Sequence, residues 1–227
     1  YRSEVSSSVR VIDLKSSRVT ISLPGLIRYL RRERPEAMLS AMAHANVIAV
    51  LAQKLAGVRT RVVVSERNTY SVASAHAHGW RAYAVKKLQR MAYLASDGIV
   101  AVSSGVADDL AANLSIPRAH INVVYNPVVS DRLLTLVKET TAQPWLISES
   151  SPLILGVGRL TKQKDFITLI QSFALIRATR PARLVILGEG ALRTKLENEA
   201  EKLGVHADVI LPGFVDNPFA VMRQADL

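Results

Sequence analysis

Short apolar runs alternate along the chain with stretches in which apolar residues recur at helical spacing. The apolar runs predict β-strands at residues 9–14, 37–40, 61–64, 98–102, 121–125, 153–157, 183–187 and 209–211. The helically spaced stretches predict α-helices at residues 24–34, 45–56, 80–95, 105–114, 165–179, 192–203 and 218–225. Strands that alternate with amphipathic helices are typical of βαβ units, so we expect an α/β fold with buried parallel sheets.

The alternation is interrupted once, over residues 126–152, which contain three prolines and no clear periodicity. We therefore predict an N-terminal domain at 1–130, a linker at 131–151 and a C-terminal domain at 152–227. The second domain has only three predicted strands, whereas a doubly wound domain normally has five or six. We expect a fragment of a longer protein that lacks material at both ends.

Composition is that of an ordinary globular protein with enough apolar residues for a core. The chain has no cysteine, which excludes disulfides, zinc–thiolate sites, iron–sulfur clusters and thiol nucleophiles. No apolar run approaches the length of a membrane-spanning helix, and the first residues do not resemble a signal peptide. We expect a cytoplasmic protein.

The net charge of +10 is concentrated in the front part, where residues 1–140 carry an excess of nine cations. Such asymmetry indicates an anionic partner, either a membrane surface, a phosphorylated substrate or nucleic acid. A solvated basic surface is the alternative. No recognised nucleic-acid-binding motif accompanies the charge and aromatic residues are few, so no nucleic-acid partner is expected.

Candidate chemistry is found where the predicted strand at 153–157 ends. Gly158 and Arg159 follow it directly, and Lys164 precedes the next predicted helix. Ligands of open α/β sheets bind outside the carboxyl ends of the strands, and a helix N-terminus there favours phosphate. We therefore predict that the two cations bind one anionic group, with a pair of ordinary surface cations as the alternative.

A second glycine turn, Gly188-Glu189-Gly190, follows the predicted strand at 183–187. It lacks the third glycine of a dinucleotide-binding fingerprint, and no acidic residue stands at the usual offset, so NAD binding is not indicated. The chain also has no Walker-type phosphate loop. If the loops after these strands bind phosphate, they do so without either of the two common phosphate-binding motifs.

Three segments in series now carry a resemblance to a known family. GVGRLTKQKDF, VILGEGALRTKLE and VILPGFVDNPFAVMRQADL stand in the order seen in retaining glycosyltransferase family 4, and IVAVSSGVADDL and VVYNPVV are similar to the end of that family's N-terminal domain. The resemblance spans nearly the whole chain. It implies the GT-B fold, two Rossmann-like doubly wound domains with parallel sheets, the second one truncated here.

The resemblance also implies roles for individual residues. Arg159 and Lys164 would bind the donor diphosphate and stabilise the leaving group as catalytic residues. The residues expected to line the nucleotide-sugar site are Gly158, Gly188, Glu189, Gly190, Phe214, Val215, Asp216 and Asn217. The family's pair of glutamates that holds the donor sugar would follow Leu227, and its glycine-rich acceptor loop would precede residue 1.

The front half supplies acceptor-side candidates at the ends of two predicted strands. These candidates are His44, Asn46, Glu66, Arg67 and Asn68. Related glycosyltransferases carry a histidine around position 67, so Arg67 is a departure from the family. For His44, a helix-capping or core role is the alternative. His76 and His78 have no nearby carboxylates, and we expect no metal site.

The reaction implied is transfer of a sugar, with retention, from a UDP-sugar to a lipid-linked or polysaccharide acceptor. The nucleotide-sugar is a substrate, and no cofactor is expected. The chain contains no Asp-x-Asp pair, and fixed cations with a helix N-terminus can stabilise the diphosphate without a metal. Two basic helices, at LIRYLRRERP and WRAYAVKKLQRMAY, are expected to contact an anionic membrane surface from the cytoplasmic side.

Three alternatives stay open at this point. A non-hydrolysing sugar-nucleotide epimerase shares the fold and would act without an acceptor. A nucleic-acid-binding protein would account for the charge. A truncated chain with an unpaired sheet edge could also be catalytically inert.

Overall fold

The computed structural model describes residues 5–74, 79–140, 143, 145 and 151–227. It consists of two compact units whose boundary lies between Asn126 and Pro127. Each unit is built around a parallel sheet, which confirms the predicted α/β class with two Rossmann-like units.

The first unit has a sheet of four parallel strands in the order β1-β2-β3-β4 in the part of the chain that is described. The strands are β1 Ala37–Ala41, β2 Arg61–Glu66, β3 Gly98–Ala101 and β4 Ile121–Val123. The central strands carry buried valines and isoleucines, such as Val62, Val64 and Ile99, because both faces of a parallel sheet are covered by helices.

Five α-helices accompany this sheet in the residues that the structure describes. They are α1 Leu23–Glu33, α2 Ala43–Ala56, α3 Tyr70–Ala73, α4 Gly79–Leu94 and α5 Ser104–Leu114. Local sequence explains their ends: Gly57 ends α2 in the left-handed conformation, and the Ser103 hydroxyl accepts a bond from the Val106 N–H at the start of α5. Helix α4 buries only Gln89, Ala92 and Tyr93, and the rest of its surface is partly or largely exposed.

The strand predicted at residues 9–14 is wrong. These residues form no strand, and Val9, Val11 and Ile12 are exposed. An apolar alternation becomes a strand only where a neighbour accepts its backbone hydrogen bonds. A side-chain ion pair between Arg10 and Glu33 of α1, at 2.6 Å, links this segment to the unit.

The second unit has a sheet in which the described strands are parallel and ordered β5-β6-β7. The strands are β5 Leu153–Val157, β6 Arg183–Leu187 and β7 Val209–Gly213. Its helices are α6 Asp131–Lys138, α7 Phe166–Arg177, α8 Arg193–Lys202 and α9 Pro218–Met222. Apolar residues pack on both faces of β6, which is almost entirely buried.

Backbone pairing on the other edge of β5 defines where strand order reverses. The Leu155 N–H donates to the Leu227 carbonyl at 2.7 Å, and the Leu227 N–H donates to the Leu153 carbonyl at 3.3 Å. This is the pattern of a parallel pair, so the chain adds β6 and β7 on one side of β5 and residue 227 on the other. The carboxyl end of β5 is therefore a topological switch point, where open α/β sheets bind ligands.

The predicted linker contains a helix. Residues 131–138 form α6, which begins with a Ser130 cap that accepts a bond from the Leu133 N–H, and which packs against α9 in the second unit. The Asn217 amide ties the two helices by donating to the Leu136 carbonyl and to Glu139 Oε2, at 2.9 and 2.7 Å.

Candidate functional site

The loop after β5 presents two free cations. Arg159 and Lys164 are both exposed, and in the described part of the chain neither side chain has an ion-pair or hydrogen-bond partner. The Lys164 stem lies across Gly158, where an added Cβ would come within 3.2 Å of Lys164 Cε. Both cations therefore belong to one short segment at the switch point.

Glycine holds this loop against the loop after β6. An added Cβ at Gly188, whose φ is +130°, would lie 2.1 Å from the Gly158 carbonyl oxygen. The Gly158 N–H donates to the Leu187 carbonyl, and the Leu160 N–H donates to the Glu189 carbonyl, each at 2.9 Å. The two loops are thus in direct backbone contact. This contact fixes the backbone of the loop that carries Arg159 and Lys164.

Gly190 and Glu189 complete the contact. A Cβ at Gly190 would lie 2.5 Å from the Leu160 carbonyl oxygen, so no side chain fits there. The Glu189 carboxylate pairs with Arg193 at 2.7 Å, and this hydrogen bond is the main reason that the pKa of Glu189 is lowered. Arg193 also donates to the Leu211 carbonyl at 2.9 Å. Glu189 therefore links β7 to the glycine turn through Arg193.

The helix expected to face the ligand begins at Phe166. Asp165, with φ of +49°, stands at the N-cap position without bonding a backbone N–H, and its carboxylate accepts the Thr168 hydroxyl at 2.8 Å. Residues Lys162–Lys164 form a 3-10 turn before it. The first turn of α7 therefore has no side-chain cap on its N–H groups.

The loop after β7, whose residues are predicted to line the nucleotide-sugar site, borders a cavity of about 360 Å³. Phe214 is 72% exposed and Asp216 is exposed, while Val215 is half-buried. The Asn217 side chain is directed to α6 and caps α9 through the Ala220 N–H, so only its backbone is left for a ligand. Phe214, Val215, Asp216 and Asn217 all line the cavity.

The first unit has a larger pocket, of about 790 Å³, at the carboxyl end of β2. The sequence-predicted residues on its wall are His44, Glu66 and Asn68. His44 is exposed in the first turn of α2, so it is not a core residue. It does not cap the helix either, because the N-cap residue of α2 is Met42. Further wall residues from α3, α4 and α5 are Tyr70, Arg81, Tyr83, Lys86, Gln89 and Asn113.

A buried hydrogen-bond network lies beneath this pocket. The Tyr93 hydroxyl donates to Glu66 Oε2 at 2.6 Å and accepts from the Asn46 and Gln89 amides at 2.9 and 3.2 Å. Burial raises the pKa of Glu66, against the opposing effect of Tyr93 and of the Arg67 and Asn68 N–H groups. Burial and the nearby Glu66 carboxylate also raise the pKa of Tyr93.

Two predicted acceptor-side residues are not on the pocket wall. Asn46 is fully buried and supports Tyr93 from below. Arg67 is exposed and donates to Asn126 Oδ1 at 3.3 Å. Sequence reasoning missed Gln89 and Tyr93; the available signal was their spacing of four residues on one face of a helix otherwise rich in cations.

Within the described residues, no group of three metal-ligating side chains comes together. His76 and His78 lie outside the described residues. No described helix is long and apolar enough to cross a membrane.

Two units with parallel α/β sheets, the second with glycine turns at the carboxyl ends of β5 and β6, define the Rossmann-like class. Residues 2–132 match the family described as Glycosyltransferase Family 4, and residues 137–227 match Glycosyl transferases group 1. The first match covers more than half of the chain. The chain belongs to glycosyltransferase family 4.

A curated relative is the N-acetylgalactosamine-N,N'-diacetylbacillosaminyl-diphospho-undecaprenol 4-alpha-N-acetylgalactosaminyltransferase of Campylobacter jejuni. It is 31% identical over 181 residues, which cover 80% of this chain and 47% of that protein. The N-acetyl-alpha-D-glucosaminyl L-malate synthase of Bacillus anthracis is 25% identical, over 82% of this chain and 47% of that protein. The chain thus spans about half the length of these relatives.

Among solved structures, the fold is similar to that of Anabaena Alr3699/HepE in complex with UDP. The TM-score is 0.70 at 15% identity, and the match covers 91% of this chain and 55% of that one. At this identity the likeness shows the fold alone.

Proposed function

We propose that the protein transfers a sugar, with retention, from a UDP-sugar to a lipid-linked or polysaccharide acceptor of a bacterial glycan. The observation that carries the proposal is a pair of cations, Arg159 and Lys164, which lie at the switch point of the second unit and have no ion-pair or hydrogen-bond partner among the described residues. Family membership and the UDP bound by the Anabaena neighbour support a nucleotide-sugar donor. An epimerase is not favoured, because the chain matches glycosyltransferase families over both units.

The proposed chemistry follows from the charge that the donor releases. When the bond between the sugar and the diphosphate breaks, negative charge builds up on the phosphate oxygens. Cations held on a fixed loop stabilise that charge without reorganising during the reaction. Arg159 can donate two parallel hydrogen bonds to a phosphate, and Lys164 adds a point charge. We propose that these groups act without a metal ion, since the chain has no Asp-x-Asp pair.

The acceptor is proposed to reach the first unit. Its pocket combines polar side chains with tyrosine rings, and the Campylobacter relative is named for an acceptor on diphospho-undecaprenol. Helix α4 exposes Trp80 and Tyr83 beside its cations, with Arg81 placed 5.4 Å from the Trp80 ring. This combination supports contact with an anionic membrane surface, where rings and cations both interact favourably.

Calorimetry with UDP tests the donor site, using protein expressed from the complete reading frame. Arg159→Ala and Lys164→Ala should each weaken UDP binding about tenfold to a hundredfold, since a charge-assisted hydrogen bond contributes roughly 1.5–3 kcal/mol. The matched controls are Arg180→Ala, beyond the far end of α7, and Lys162→Ala, in the same 3-10 turn. Unchanged affinity in Arg159→Ala would contradict the proposed diphosphate role.

Product analysis separates transfer from epimerisation. With a UDP-sugar and a lipid-linked acceptor, a transferase should form an α-linked product from an α-linked donor, visible in the coupling constant of the anomeric proton. An epimerised UDP-sugar that appears without any acceptor would contradict the proposal.

Sedimentation with vesicles tests the membrane contact. The protein should bind vesicles that contain phosphatidylglycerol more strongly than vesicles of phosphatidylcholine alone, and the double variant Lys86→Ala/Lys87→Ala should lose about 2 kcal/mol of that preference. Equal binding to both vesicle types would remove the membrane from the proposal.

A further inference from the structure

The buried network under the pocket of the first unit leaves one carboxylate oxygen without a side-chain partner. Oε2 of Glu66 accepts the Tyr93 hydroxyl, and no side chain of the described residues donates to Oε1. We propose that Oε1 of Glu66 binds a hydroxyl group of the acceptor saccharide, and that Tyr93, Gln89 and Asn46 are positioning residues for it. This inference rests on the proposed function and assigns its acceptor-binding group.

The direction of the network follows from its fixed members. The Ser65 carbonyl can only accept, so the Asn46 amide nitrogen faces it, at 3.0 Å, and also donates to Tyr93. The Tyr93 oxygen accepts from Gln89 as well, which leaves its single proton for Glu66. Oε2 therefore accepts the Tyr93 proton, and the backbone N–H groups of Arg67 and Asn68 also stabilise the carboxylate. Oε1 is the oxygen to which no side chain of the described residues donates.

Burial makes this oxygen a specific binding group. Glu66 is only 4% exposed, yet it lies on the wall of the pocket. A buried carboxylate needs hydrogen-bond donors to offset its lost hydration. In the described residues no lysine or arginine pairs with it, although Arg81 and Lys86 line the same pocket. The Tyr93 hydroxyl and the backbone N–H groups of Arg67 and Asn68 offset part of that lost hydration. A ligand with neutral hydroxyl groups adds a further donor at Oε1.

The rest of the wall fits a sugar ring. Asn68 and Asn113 contribute amide groups to the wall, which can bind further hydroxyls, and Tyr70 and Tyr83 contribute aromatic rings, which can pack on the C–H groups of a sugar. The volume of about 790 Å³ lies within the range of small-molecule sites. The class of ligand is therefore a saccharide rather than an apolar or purely ionic molecule.

Binding through Oε1 has a defined dependence on pH. Protonation of Glu66 at Oε1 replaces the acceptor by a donor, so affinity should fall as pH falls through the raised pKa of this carboxyl. Other charged or titratable groups that face the pocket are His44 on α2, Arg81 and Lys86 on α4, and the hydroxyls of Tyr70 and Tyr83. A variant at Glu66 separates its contribution from that of His44.

The experiment measures binding of methyl α-glycosides of glucose, galactose, N-acetylglucosamine and N-acetylgalactosamine between pH 4 and 8, by saturation-transfer NMR on protein from the complete reading frame. At least one glycoside should bind, with an affinity that falls at acid pH. Glu66→Gln should weaken this binding several-fold at neutral pH and abolish the acid fall. Tyr93→Phe should move the fall to higher pH, because the lost hydroxyl no longer stabilises the carboxylate.

Controls distinguish a local loss of structure from the proposed role. Thr60→Val removes another buried hydroxyl, which donates to the Pro35 carbonyl at the opposite end of β2, and it should leave both affinity and pH dependence unchanged. A Tyr93→Phe profile that coincides with that of Thr60→Val would overturn the positioning role. Absence of glycoside binding, or an acid fall that persists in Glu66→Gln, would overturn the role of Glu66.

UDP binding is measured on the same samples. Glu66→Gln and Tyr93→Phe should keep the wild-type affinity for UDP, whereas Arg159→Ala should keep the affinity for the glycoside. A wild-type protein that binds the glycoside but does not bind UDP would contradict the proposed function and leave the inference about Glu66 standing.

Discussion

The two units place different chemistry at equivalent positions, the carboxyl ends of their parallel strands. In the second unit the candidate groups are exposed cations, Arg159 and Lys164, on loops held together by backbone contacts. In the first unit the candidate group is a buried carboxyl, Glu66, held by the side chains of Tyr93, Gln89 and Asn46. The same fold thus fixes one site through its backbone and the other through a side-chain network.

This difference determines how each site should respond to change. A site fixed by backbone contact tolerates no added atoms but is insensitive to proton concentration. A site built on a buried carboxyl keeps its structure after an isosteric replacement, but its stability and binding depend on pH.

The largest effect should come from adding one methyl group to the second unit. Gly188→Ala would place a Cβ 2.1 Å from the Gly158 carbonyl oxygen, and since both groups are backbone, neither can move without breaking the loop contact. We expect a loss of about 3 kcal/mol or more in unfolding free energy, together with weaker UDP binding. Urea denaturation followed by the fluorescence of Trp145, in a Trp80→Phe background, measures this in the second unit.

Gly204→Ala is the matched control for that substitution. Gly204 also has a positive φ, +70°, but nothing lies within 4 Å of an added Cβ. Its cost should be the conformational one alone, about 1 kcal/mol. Similar losses in the two variants would show that the contact between the loops does not hold the site.

The smaller effect concerns pH in the first unit. Burial raises the pKa of Glu66 above its unfolded value, so its contribution to stability is fully present below the unfolded pKa and is lost as pH rises through the folded one. Glu66→Gln removes this loss. As the pH rises from 4 to 8, the free energy of unfolding of the variant should therefore increase relative to that of the wild type. Urea denaturation at each pH measures this difference. A difference that is constant with pH would contradict a titrating Glu66.

Most of the fold could be predicted from the sequence, because most of the strands and helices have a strong local pattern. The strand at 153–157 and the strand at 183–187 were predicted with the bounds that the structure has. The failures occurred where pattern and context disagree. Residues 9–14 have a strand-like pattern without a partner strand, and the residues of α6 carry a helical pattern that the prolines around them obscured.

The candidate sites could be predicted only in part, for a related reason. Arg159, Lys164 and the glycines lie in short segments whose spacing is visible in the chain. The network around Glu66 joins residues that are distant in sequence. Tyr93 follows Glu66 by 27 positions, and Asn46 precedes Tyr93 by 47 positions. Such a cluster exists only after α4 has packed against the sheet.

The contact between the two glycine loops has a further consequence for how this site could change over generations. The hydrogen bonds from Gly158, Leu160 and Gly188 that hold it use backbone atoms alone. Exposed side chains on the neighbouring loop, Phe214 and Asp216, make no part of that frame. Under the proposed function, substitutions at these two positions would change the wall of the nucleotide-sugar site while the backbone frame that carries the cations stays in place, so directed evolution of donor choice would begin there.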